Sequence, residues 1–205
     1  EETTQSIREA LDEAERIVRS RIRKVIVGVG GLSLGSKTAE GGVVASRPDS
    51  EITESDLGRA VEASEAALTD MANKQILHRI PLSFKLDGEK VLGRPEGLRG
   101  SKLEVKTLFI TGGTQHLRDM VRAAEEAGLI VEDLVASPFA ASLAVMTKVQ
   151  KMAGCVLVNI GSQTTSIAVF EEGLPLSIQV FAIGSTDITN DIALGFKIPI
   201  EEAEK

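Results

Sequence analysis

The sequence predicts an α/β protein that carries a compact α+β module in its first half. Three observations support this. Short apolar runs alternate along the chain with segments of helical period. Between about residues 21 and 111 the order strand, strand, helix, strand, strand closes on itself. Across residues 154–195, two turns rich in Gly, Ser and Thr each end a strand.

Ile7, Leu11, Ala14 and Val18 recur at helical spacing, with Arg8, Asp12, Glu15 and Arg19 opposite, so an amphipathic helix starts almost at residue 1. Its apolar face is expected to need a sheet to cover it. Residues 24–29 form a buried strand. Gly28-Val29-Gly30-Gly31 lacks the G-x-G-x-x-G spacing, and residues 32–40 show no helical period. A hairpin turn into a strand at 42–46 is therefore expected there, in place of a dinucleotide loop. Residues 48–51 form a turn. Thr53 with Asp56 makes a capping pattern, and Ile52 with Leu57 a hydrophobic staple. The helix that follows lines up Leu57, Ala60, Val61, Ser64, Ala67, Leu68 and Met71, with alanines that permit close approach to a sheet. Strands at 75–85 and 102–110 complete the module, joined by the Gly- and Pro-containing stretch 87–100.

A helix over 114–127 carries Leu117, Met120, Val121 and Ala124 and is stopped by Gly128. A strand at 129–135 leads to Ser137-Pro138, a cap and a first-turn proline, before a helix with Phe139, Leu143 and Met146. Strands at 155–160, 166–170 and 176–183 follow, then a helix over 186–194.

Composition excludes several functions. A net charge of −7 with 3% aromatic residues provides neither a basic face nor stacking platforms for nucleic acid. His78 and His116 are the only histidines and Cys155 the only cysteine, so the sequence offers no metal-ligand cluster and no disulfide framework. His78, on a strand among apolar neighbours, is expected to be a structural residue. No apolar run approaches the ~18 residues that cross a bilayer. The expected setting is cytoplasmic.

Glycine-rich turns and helix N-termini can aim backbone N–H groups at a phosphate. The block Asn159-Ile160-Gly161-Ser162-Gln163-Thr164-Thr165-Ser166 resembles the second phosphate-binding hairpin of actin-like ATPases, whose usual form is Asp-x-Gly-x-Gly-Thr-Thr-Asp. The continuation from Ile183-Gly184-Ser185-Thr186-Asp187 to Ala193, and the ending Glu201-Glu202-Ala203-Glu204, are similar to FtsA, the bacterial cell-division family. Ile76-Leu77-His78-Arg79-Ile80-Pro81 and the stretch from Pro95 to Val105 are similar to it as well.

The resemblance implies an actin-like (ribonuclease H-like) fold with an inserted SHS2-like subdomain. Residues 1–20 are then a helix of subdomain 1A, 21–112 the inserted subdomain 1C, 113–152 the return to 1A with a crossing helix, and 153–205 the start of 2A. It implies ATP and Mg²⁺ as cofactors, self-association, and FtsZ and other division proteins as partners. The whole protein would then act at the inner face of the cell membrane, through a tail and a subdomain 2B that lie outside these residues. Nucleotide contacts would come from Asn159, Gly161, Ser162, Gln163, Thr164, Thr165, Gly184, Ser185 and Glu204, with Asn159 the metal contact through water. Four positions depart from the pattern: Asn159 and Ser166 replace carboxylates, Gln163 replaces a glycine, and Gly184-Ser185 stands for Gly-Gly. Mg²⁺ prefers carboxylates and phosphates, so these residues alone are expected not to turn over ATP. A non-catalytic interaction module with the same fold, or a PilM-like pilus-assembly protein, are the alternatives.

Overall fold

The computed structural model describes residues 2–47 and 49–204. Pro48, expected to open a turn, lies outside the described residues, as do Glu1 and Lys205. The chain runs α1 (Glu2–Val18), β1 (Lys24–Val29), β2 (Gly35–Val44), α2 (Glu54–Ala66), β3 (Lys74–Leu86) and β4 (Glu89–Val91). It continues through β5 (Lys102–Gly113), α3 (Thr114–Glu126), β6 (Ile130–Ala136), α4 (Ser137–Val145) and α5 (Lys148–Ala153). The last part holds β7 (Cys155–Ile160), β8 (Thr165–Glu171), β9 (Leu174–Phe181), α6 (Ser185–Phe196) and α7 (Ile200–Ala203).

These strands form three sheets, β1-β6, β2-β5-β3-β4 and β7-β8-β9. The first is parallel, and the other two are antiparallel. The hairpin expected after β1 is not formed. β1 pairs with β6, about a hundred residues later, and Gly30 and Gly31 carry the chain out of that sheet into the inserted one. Residues 24–29, counted with the module on sequence grounds, are thus hydrogen-bonded to the segment that follows it. Nor does β2 begin at 42. It starts at Gly35 and pairs with β5 along its whole length, and β5 is buried without a break from Thr107 to Gly112.

The module's helix forms as the capping pattern predicts. Thr53 accepts from the Asp56 N–H, the Asp56 carboxylate accepts from the Thr53 N–H, and Ile52 and Leu57 are buried beneath them. Leu103 and Val105 of β5 complete that core with Ala60. The crossing helix is shorter than expected. Met146 takes an extended conformation and ends α4, and Thr147 then caps α5 through a second capping box with Gln150. Ala136, not Ser137, is the cap position of α4, and its N–H donates to His78 Nε2 at 3.0 Å. His78 therefore ties β3 to the start of α4, its ring tilted 45° against Phe139 at 5.2 Å, and partial burial holds its pKa below the usual imidazole value, against the opposing pull of Asp133.

The main core joins all three sheets. Val29 and Ala136 come from the parallel sheet, Leu108 and Ile110 from β5, and Ala168, Phe170 and Ile178 from the third. A side chain adds a polar link. The Ser36 hydroxyl on β2 donates to the Ile178 carbonyl at 3.1 Å and accepts from the Ile178 N–H at 2.8 Å.

Candidate functional site

The site is built where β7 turns into β8 and where β9 feeds α6. The Gly161 N–H donates to the Thr164 carbonyl at 2.8 Å and closes the turn. Residues paired across β7 and β8 share a face. Asn159 lies opposite Ser166 on the face that carries Leu157 with Ala168 and Cys155 with Phe170. The core fades along that face: Phe170 and Ala168 are fully buried, whereas Asn159 is exposed.

The two turns expected to face one anion do meet, through direct hydrogen bonds. Ser185 N–H donates to the Gly161 carbonyl at 2.9 Å and Thr186 N–H to the Ser162 carbonyl at 3.0 Å. The Ser162 and Thr186 hydroxyls are 2.9 Å apart, and the Thr165 hydroxyl donates to the Ile183 carbonyl at 2.7 Å. Asp187 folds back to accept from the Gly184 N–H at 2.8 Å, while its own N–H donates to the Gly184 carbonyl at 3.2 Å. A helix begins with N–H groups that lack intrahelical partners. In α6 the four from Gly184 to Asp187 are all taken within the chain. Its N-terminus is a latch for the turn.

Gly184 makes the latch possible. A Cβ there would lie 2.2 Å from the Ser162 carbonyl oxygen and 2.6 Å from that of Gly161. Its backbone is extended, so close approach and not φ demands glycine. Gly184→Ala is expected to push the turn off α6 and cost about 1–3 kcal/mol, as overpacking does. Chemical denaturation reads the cost, and hydrogen exchange at the Ser185 and Thr186 amides reads the release; unchanged protection at both amides would refute the latch.

What remains for a phosphate is the turn itself. The N–H groups of Ser162, Gln163 and Thr164 have no partner among the described residues, and all three lie at or near the surface. That fits one side of an anion. A metal fits poorly. Among the described residues no three His, Cys, Asp or Glu side chains converge, and Asn159 brings no charge. Glu204 ends α7 on the surface with its N–H donating to the Ile200 carbonyl, and no hydrogen bond joins it to the turn. The consumption of the α6 donors is what sequence reasoning missed. Only the pairing of Gly184 with a carboxylate three residues on, the return half of a capping box, signalled it.

Comparison with known proteins bears on the family and the fold. A model of the SHS2 domain inserted in FtsA matches residues 32–111, and one of the cell division protein FtsA matches residues 156–205. The chain belongs to the FtsA family. The cell division protein FtsA of Bacillus subtilis (strain 168) is 37% identical over 206 residues, with 100% of this chain and 46% of the relative covered. That of Pseudomonas aeruginosa is 32% identical over 205 residues, covering 100% of this chain and 48% of the relative. The chain therefore spans about half the length of the curated relatives it matches. Among solved structures, one described as the PilM-PilN type IV pilus biogenesis complex superposes with a TM-score of 0.64 at 21% identity, over 98% of this chain and 54% of that one. The fold is actin-like α/β with an SHS2 subdomain. The family is one of bacterial cell division, and among the described residues no helix is long and apolar enough to cross a membrane.

Proposed function

We propose that this chain is part of an actin-like division protein that polymerises on the cytoplasmic face of the cell membrane and ties the FtsZ ring to it. Residues 1–20 and 113–152, together with β1, would belong to subdomain 1A, the rest of residues 21–112 to the inserted 1C, and 153–205 to the start of 2A. What supports the reading is the ordered match to the family along the chain, with the inserted domain in its place.

Within that function the nucleotide site is degenerate on this side. The turn 161–165 would meet a phosphate of ATP through the N–H groups of Ser162, Gln163 and Thr164, while Gly184 and Ser185 hold the turn in place and touch no ligand. ATP bound there would bring its Mg²⁺, which Asn159 would meet through a water at best. The observation that carries this is the full pairing of the α6 N–H groups with the chain itself. Calorimetry with Mg-ATP tests it. Residues 1–205 are expected to show no turnover and no binding stronger than about millimolar, the weak end of the affinity scale. In the full-length protein, Asn159→Asp is expected to raise Mg²⁺-dependent affinity, since a carboxylate returns a charge to the metal side. Micromolar binding by residues 1–205, or an indifferent Asn159→Asp, would refute the assignment.

A further inference from the structure

Two histidines sit where the inserted module meets the rest of the chain, and they use the same atom in opposite ways. His116 Nε2 on α3 lies 3.1 Å from the Gly30 carbonyl, so it must donate there, a role open to the neutral and the charged ring alike. His78 Nε2 on β3 accepts from the Ala136 N–H at 3.0 Å. Only an unprotonated nitrogen accepts, so this bond exists with the neutral ring alone.

The bond to His78 is enclosed. Ala136 has no exposure to solvent, and Phe139 lies against the ring from α4. A proton on Nε2 would set two N–H donors against each other and leave the Ala136 N–H without a partner where water does not reach. The surroundings offer the charged ring little relief. α4 carries no charged residue, nor does β5 from Thr107 to Gly113, nor β1 from Val25 to Val29. Arg79, next on β3, is paired with Glu65, and Glu132 of β6 with Lys24. Asp133 of β6 alone favours the imidazolium among the described residues, and burial outweighs it.

The far side of the module is fastened differently. There the Ser36 hydroxyl holds both backbone groups of Ile178 on β9, with no group that titrates near neutral pH. We propose that His78 is a proton-operated latch between the inserted module and the start of α4. Neutral, it fastens β3 to the body of the protein. Protonated, it opens that seam while Ser36 keeps the module tied to β9. The released ring takes its proton at the ordinary value of about 6.5, and the latched ring only at lower pH. The latch is therefore complete above that value and weakens as pH falls through it. α4 and α5 carry the chain from the parallel sheet to β7, so release at the first turn of α4 loosens the link between those two sheets.

Hydrogen exchange in the full-length protein tests this at the Ala136 amide, with each rate divided by the intrinsic rate at that pH. Between pH 8 and pH 5.5 the wild type is expected to lose about tenfold in protection, since each unit below the ordinary value shifts the open-to-latched ratio about tenfold. The Ile178 amide, held by Ser36, should keep its protection. His78→Gln retains an acceptor that does not titrate and should stay protected at both pH values. His78→Leu has no acceptor and should be unprotected at both. Asp133→Asn removes the pull toward the charged ring and should move the loss to lower pH. Protection at Ala136 that ignores pH in the wild type overturns the latch, as does a pH response that persists in His78→Gln. Equal loss at Ala136 and Ile178 overturns it too, since the whole molecule would then be opening. Should His78→Leu fail to fold, the wild type and His78→Gln still decide the matter.

Discussion

Asp56→Ala is expected to lower the stability of the protein by about 2–3 kcal/mol, the upper range for leaving buried hydrogen-bond donors unsatisfied; the partner Arg59 is half exposed and can turn to solvent. The side chain has no exposure to solvent, yet its carboxylate gathers five donors. Thr53 gives its N–H at 2.9 Å and its hydroxyl at 2.6 Å, and Ser46 gives its N–H and hydroxyl at 3.1 Å each. Arg59 completes the set at 2.6 Å and also donates to the Val44 carbonyl. Alanine would strand several of these donors inside the protein, where an unsatisfied polar group is costly. Burial pushes this carboxyl's pKa up, but the bonds from Thr53, Arg59 and Ser46 outweigh it and hold the group well below the usual carboxylate range. The sign of the pH dependence follows. With the folded pKa below the unfolded value of about 3.9, the contribution is complete above that pH and is lost as pH falls toward the folded value. Urea titrations between neutral pH and pH 3 should show the wild type losing stability below about pH 4 more steeply than Asp56→Ala. Parallel curves would refute the assignment.

Gly41→Ala is expected to be the most damaging methyl group that can be added to the inserted module, at about 3 kcal/mol or the upper end of overpacking costs. Its Cβ would stand 2.1 Å from the Ser64 nitrogen and 2.5 Å from the Ala63 carbonyl carbon. Both are backbone atoms of α2, so no rotamer change relieves the clash and the helix must lift. Ser64 is itself locked and buried, its hydroxyl donating to the Val61 carbonyl at 2.7 Å and accepting from the Thr107 hydroxyl at 3.0 Å. Gly42→Ala is the control. It meets the flexible Glu104 side chain at 3.1 Å and the Leu103 carbonyl at 3.3 Å, and should cost less. Equal unfolding midpoints for the two variants would contradict this account.

How far the sequence reveals this molecule depends on the range of the interactions. α2 was legible because its cap, staple and apolar face lie within a few residues of one another, and β5 because its first half alternates from Leu103 to Thr107. β2 was half hidden. Its first eight residues, Gly35 to Gly42, include three glycines and no large apolar side chain, and Gly41 is there for α2 and not for the strand. The partner of β1 was invisible, since parallel pairing across a long insertion leaves no local mark. At the candidate site the turn 161–165 was legible, but the capture of the α6 N–H groups was not. It depends on bonds between residues about two dozen positions apart. Asp56 shows the same division: its tie to Thr53 is written in the capping pattern, whereas its bonds to Ser46 and Arg59 emerge only from packing.

The outer edge of β9 would otherwise offer a row of unpaired backbone groups to any other chain, the usual template for edge-to-edge aggregation. Ser36 occupies that edge at its midpoint and takes both backbone groups of Ile178 with one hydroxyl, so a foreign strand finds the ladder interrupted where it would nucleate. The inserted module thereby covers part of the β9 edge of the domain it interrupts. A version of the protein lacking residues 32–111 should expose this edge and precipitate on folding, whatever becomes of the site at Gly161.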